Sequence, residues 1–130
     1  MRQLAAGLRE ALEKFGAKAG TAAVEVSTPS KEALAAFRSA LEANEASAED
    51  VMLVHFVQDG LTGAPGGPFA HISPVGAYDA ATRRVLVMDV DRKWYEPYWV
   101  KDETLLKAMA VKTKAFGYGG YAVAKLAGKE

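Results

Sequence analysis

The sequence predicts an α+β domain with a mostly antiparallel sheet. Three observations carry that prediction. Helix-period and strand-period segments alternate at first, and strands then dominate with one helix interposed. The stretch Val51 to Val57, Val-Met-Leu-Val-His-Phe-Val, is apolar on both of its faces, as a central strand must be. The chain has 130 residues, 50% of them apolar and 25% charged, which is the size and balance of a single globular domain.

Taken in order, Leu4, Leu8, Leu12 and Phe15 fall at helical spacing with charges between them, and Gly16 marks the stop. Thr21 to Val26 is short, β-branched and partly alternating, which suits a strand. In Ser27-Thr28-Pro29-Ser30, Thr28 or Ser30 can cap the next helix, with Pro29 tolerated in its first turn. That helix carries Leu34, Phe37 and Leu41 on one face, ordinary core positions, and fades in the polar stretch Ala43 to Asp50. Val51 to Val57 follows as the buried strand. Asp59 to Phe69 holds four glycines and two prolines in eleven residues and reads as a loop. It has no Gly-Lys-Ser/Thr ending and opens no helix, so it does not read as a phosphate cradle. His71 to Tyr78 and Arg84 to Val90 are two strands around the turn Asp79-Ala80-Ala81-Thr82. Asp91 to Trp99 is irregular and aromatic. Asp102 caps a helix bearing Leu105, Leu106 and Met109. Gly117 to Gly120 breaks the chain, and Tyr121 to Leu126 is the last strand.

Composition excludes several functions. Lys plus Arg and Asp plus Glu are both 16, so the positive surplus that nucleic acid or an anionic membrane requires is absent. There is no cysteine, and with it no disulfide, thiolate metal site or cysteine nucleophile within this sequence. No apolar run approaches the roughly 18 residues of a membrane span. The first 15 residues mix acids and bases on a helical pattern, unlike a signal peptide. A soluble, cytoplasmic domain with no intrinsic cofactor and neither nucleic acid nor membrane as partner is the expectation.

Chemistry concentrates in His71 and Asp89, which open and close the proposed hairpin. Centring its turn on Ala80 sets the two side chains directly opposite, where Cβ atoms lie roughly 4.5–5.5 Å apart. A carboxylate at that distance fixes the imidazole tautomer and favours the imidazolium, as a general base needs. The same spacing also fits a structural cross-strand ion pair. A one-residue slip would separate the two side chains onto opposite faces, and Pro74 points to a bulge or an edge. Ser73, the nearest hydroxyl, projects beside the imidazole and is a poor nucleophile candidate. His55, mid-strand among apolar neighbours, reads as a hydrogen-bonded core histidine. No local spacing motif supports a metal site from His55, His71 and Asp89.

At these residues the sequence resembles the phytochelatin synthase family. His71-Ile72-Ser73-Pro74-Val75-Gly76-Ala77-Tyr78 is similar to its histidine motif, and the run from Asp89 to Val100 is similar to the aspartate motif that follows. The resemblance is specific from Val51 to Met109. Lys93-Trp94, Glu96 and Tyr98 depart from the family pattern.

The resemblance implies a papain-like cysteine-protease fold of the peptidase C83 type with a Cys-His-Asp triad. His71 matches the general base and Asp89 its orienting acid. In such enzymes a cysteine attacks the Cys–Gly carbonyl of glutathione, expels glycine, and passes the γ-Glu-Cys group to another glutathione or to water. Heavy metals enter as metal-bound glutathione. Arg92 and Tyr95 match candidate substrate contacts; a solvated arginine and a packed tyrosine are the plain alternatives. Trp94, Tyr95, Tyr98 and Trp99 form either a ligand wall or a loop packed on the sheet. The nucleophile and oxyanion glutamine lie N-terminal to the histidine in the family. Residues 1–130 are therefore expected to be the C-terminal portion of the catalytic domain, inactive alone. Expected partners are glutathione and the missing lobe, or self-association through the apolar face that lobe would cover. Two other readings stay open: a non-catalytic lobe binding a thiol peptide or a partner protein, and a related cysteine peptidase lobe.

Overall fold

The computed structural model of the protein describes residues 1–14, 19–47, 49–57, 70–89, 96–114 and 117–126. The elements are α1 (Arg2–Lys14), β1 (Ala19–Glu25), α2 (Lys31–Ala46), β2 (Val51–Val57), β3 (Ala70–Asp79), β4 (Arg84–Val87), β5 (Tyr98–Lys101), α3 (Asp102–Met109) and β6 (Gly120–Leu126). The strands form one open sheet in the order β1-β6-β2-β3-β4-β5, with every neighbouring pair antiparallel. This is the predicted α+β class. β2 lies between β6 and β3, which explains why its residues are apolar on both faces.

One face of the sheet carries the core. Met52, Val54 and Phe56 of β2 point to it beside Tyr121 of β6, and Val85 and Val87 continue it on β4. Phe37 and Leu41 of α2 and Leu105, Leu106 and Met109 of α3 cover them, each 2% exposed or less. On the opposite face, α1 packs along β1 and β6, over the fully buried Ala122 and Ala124. The β3–β5 half of that face leaves Ile72, Met88 and Trp99 exposed. On this apolar surface the expected self-association would draw.

Local chemistry sets the boundaries. Ser30 caps α2, its hydroxyl accepting from the Ala33 amide at 3.1 Å. Pro29 stands just before that cap rather than inside the first turn. α2 continues to Ala46, deeper into the polar stretch than its composition suggests. The chain enters β6 through Gly119 and Gly120 because only glycine fits: a Cβ at Gly119 would meet the His55 carbonyl, and one at Gly120 the Val24 carbonyl. The predicted stop at Gly16 and the glycine-rich segment 59–69 lie outside the described residues.

Further expectations change. The strand expected over Arg84 to Val90 ends at Val87, and Tyr98 and Trp99, expected to be irregular, open strand β5, which pairs Val87 with Tyr98 and Val85 with Val100. Its aromatic residues alternate inward and outward as on any pleated strand. Asp102 is not the cap of α3. That position belongs to Lys101, and Asp102 is the first helical residue, fully buried. Arg38 of α2 grips its carboxylate with Nε at 2.8 Å and Nη2 at 3.0 Å, and the Tyr78 hydroxyl donates to it at 2.8 Å. Burial alone would raise the Asp102 pKa; the hydrogen bonds from Arg38 and Tyr78 outweigh it and hold the carboxyl below the usual carboxylate range. The network ties both covering helices to β3, and the capping role gives way to it.

Replacing Tyr78 by Phe removes one hydrogen bond to a charged group and keeps the ring. A loss of about 1.5–3 kcal/mol is expected, read as a Tm lower by about 5–10 °C in calorimetry. An unchanged Tm would show that the hydroxyl contributes nothing to the clamp.

Candidate functional site

The hairpin of β3 and β4 places the candidate site. Its turn is centred between Ala81 and Thr82, not on Ala80: Asp79 pairs with Arg84, and Arg83 takes a left-handed φ of 58°. The Asp79 carboxylate shapes the turn, accepting from the Ala81 amide at 3.1 Å and the Thr82 hydroxyl at 2.8 Å. The ladder then shifts register between Val75 and Ala77, leaving Gly76 as a bulge, and resumes with Val75 opposite Val87. The Met88 amide donates to the Pro74 carbonyl at 2.9 Å, carrying the pairing one step further. Asp89 therefore faces Ser73. The expected direct opposition of His71 and Asp89 is replaced by a diagonal one, because the longer turn and the bulge move the register.

The diagonal still joins them. His71, Ser73 and Val75 alternate onto the core face of β3, and Val85, Val87 and Asp89 onto the same face from the other strand. His71 Nδ1 lies 4.0 Å from Asp89 Oδ1, with the Asp89 side chain fully buried and that of His71 18% exposed. This is ion-pair distance, longer than a hydrogen bond. On the other flank His71 pairs with Phe56, whose ring stacks on the imidazole at a centroid distance of 6.3 Å. Tyr98 reaches in from β5, its hydroxyl donating to Asp89 Oδ2 at 3.1 Å. That contact is invisible in the sequence until β5 is paired with β4. Ser73 is fully buried beside the imidazole, and its hydroxyl has no hydrogen-bond partner among the described residues.

The other candidates separate. His55 pairs with Ile72, so it projects to the face opposite His71, and the two histidines share no site. Tyr98 points inward and Trp99, 52% exposed, points outward, so these two do not line one wall. Arg92, Trp94 and Tyr95 lie outside the described residues.

A family model described as phytochelatin synthase matches residues 7–119, a span that includes His71, Ser73 and Asp89. The chain belongs to the phytochelatin synthase family. The match begins well before Val51, where the motif resemblance becomes specific. Glutathione gamma-glutamylcysteinyltransferase 3 of Lotus japonicus is 31% identical over 101 residues, covering 78% of this chain and 20% of that relative. This phytochelatin synthase family member thus spans about one fifth of the length of the curated relative it matches.

His55 gives the domain a testable pH dependence. Burial pushes its pKa down, and the amino-terminal ammonium adds to the effect. The folded state therefore binds this proton more weakly than the unfolded state. Stability from this group is complete above the ordinary histidine value, about 6.5, and is lost as pH falls toward the folded value. Denaturant titrations should show unfolding free energy falling by up to about 1.4 kcal/mol per pH unit in that window, with a shallower slope in His55→Gln. An identical slope in the variant would contradict this assignment.

Proposed function

We propose that this chain is the base-bearing C-terminal portion of a papain-like catalytic domain of the peptidase C83 type, transferring γ-Glu-Cys from glutathione. The observation that carries the reading is the approach of His71 Nδ1 to Asp89 Oδ1 at 4.0 Å on one sheet face, in a family member without a cysteine. The sulfur must be supplied by a polypeptide stretch outside this sequence.

The chemistry follows from which nitrogen faces the carboxylate. With Nδ1 turned to Asp89, Nε2 is left for the incoming thiol. His71 takes the thiol proton through Nε2, and the imidazolium, countered by Asp89, keeps the thiolate ionised. The thiolate attacks the Cys–Gly carbonyl carbon, forming a C–S bond. As the C–N bond breaks, the imidazolium gives its proton to the departing glycine amine. In the second half, His71 takes a proton from the acceptor, the α-amine of another glutathione or water, whose attack on the thioester carbonyl breaks the C–S bond and frees the enzyme thiolate. Tyr98 donates to the second oxygen of Asp89, so Oδ1 is the oxygen that faces the cycling imidazole. Heavy-metal ions belong to this scheme as substrate, in the form of metal-bound glutathione.

The test is to mix the chain with a polypeptide supplying the cysteine-bearing lobe and assay glycine release from glutathione. Release is expected with the wild type, and His71→Ala should lower it by at least about 100-fold, the scale of a positioned general base. Asp89→Ala should weaken it in the same direction. No release from a well-folded mixture would overturn the reading in favour of a binding lobe. Selective release from other peptides would favour a general cysteine peptidase.

A further inference from the structure

Ser73 carries a cost that the fold alone does not explain. Its side chain is fully buried, and its hydroxyl meets no acceptor among the described residues. Buried polar groups are almost always paired, because leaving one unpaired forfeits its hydration with nothing in return. The register places this hydroxyl across the ladder from Asp89, two residues from His71 on the same face. The same carboxylate stands 4.0 Å from Nδ1, about 1 Å outside hydrogen-bond range. A hydroxyl without a partner among the described residues and an ion pair at 4.0 Å thus converge on one carboxylate. Protonating His71 strengthens the attraction across that gap in surroundings of low polarity. Opposed side chains such as Ser73 and Asp89 have Cβ atoms about 4.5–5.5 Å apart, so the Asp89 carboxylate lies within reach of the Ser73 hydroxyl.

We propose that Ser73 is a positioning residue: its hydroxyl donates to Asp89 when the carboxylate closes on the charged imidazole, and it stands unpaired when the imidazole is neutral. The groups converging on Asp89 include His71 and Ser73 from β3 and Tyr98 from β5. Tyr98 holds one oxygen in the resting arrangement, and Ser73 completes the set in the charged one. The proposal deepens the reading of His71 and Asp89 as a working pair and rests on it. It concerns the pair alone, so it can be tested without the sulfur.

The experiment is an NMR titration of the His71 ring in the isolated chain, in wild type, Ser73→Ala, Asp89→Asn and the double variant. Loss of one hydrogen bond from the charged state should lower the His71 midpoint in Ser73→Ala by about half a pH unit, a threefold loss of proton affinity. In the Asp89→Asn background the serine substitution should have no further effect, because Ser73 acts through the carboxylate. At pH 8, well above the ordinary histidine value of about 6.5, Ser73→Ala should melt no lower than wild type, since it deletes a hydroxyl with no partner among the described residues. An unchanged or raised midpoint in Ser73→Ala would overturn the proposal. So would an equal fall in both backgrounds, the signature of a packing effect. These readouts do not depend on glycine release, so failure here and failure of the transferase reading are separate results.

Discussion

The antiparallel registry of β3, fixed by β2 on one flank and β4 on the other, is the constraint on which the candidate site depends. Strand geometry allows a side chain only two directions, so a register error of one residue would send His71 and Asp89 to opposite sides of the sheet. Phe56 opposite His71, and Val87 opposite Val75, set both flanks of the strand. The Gly76 bulge then resets the alternation. His71, Ser73 and Val75 before it and Tyr78 after it all face the core, which a regular strand cannot do across the two positions between Val75 and Tyr78. A Cβ at Gly76 would come within 2.9 Å of the Met88 sulfur, the flexible end of an exposed side chain that can move aside.

The two ends of β3 consequently do different work. At the turn end, Tyr78 joins Arg38 and Asp102 in a network that binds α2 and α3 to the sheet. At the other end, His71 and Ser73 meet Asp89, with Tyr98 beside them. The first network is closed, with short bonds to both carboxylate oxygens. In the second, His71 and Asp89 stand 4.0 Å apart, and the Ser73 hydroxyl has no partner among the described residues.

Much of the architecture was legible in the residues. The two-sided apolar run Val51–Val57 announced a central strand, and the 3.6-residue spacing of Leu34, Phe37 and Leu41 announced a covering helix. The histidine and aspartate motifs marked the candidate site and the family. What was not legible depended on register and on partners distant in sequence. Ala80 and Ala81 gave no cue that the loop would run to Arg83 in a left-handed conformation. Pro74 pointed to a bulge or an edge, but Gly76, where the bulge forms, looked like any glycine in a strand, so its place and the diagonal meeting of His71 with Asp89 stayed hidden. Asp102 looked like a cap because local propensity knows nothing of Arg38, 64 residues earlier. Tyr98 and Trp99 looked like loop aromatics, since four alternating residues are too few for a clear strand signal.

The central claim is that the buried carboxylate of Asp89 governs the imidazole of His71, turning Nδ1 inward and leaving Nε2 for chemistry. Long-range proton–nitrogen correlation spectra of His71, recorded where the ring is neutral, test it most directly. The account requires the proton on Nδ1 and a bare Nε2 in the wild type, with that preference lost in Asp89→Ala. A proton on Nε2 in the wild type, or the same spectrum in the variant, would contradict it.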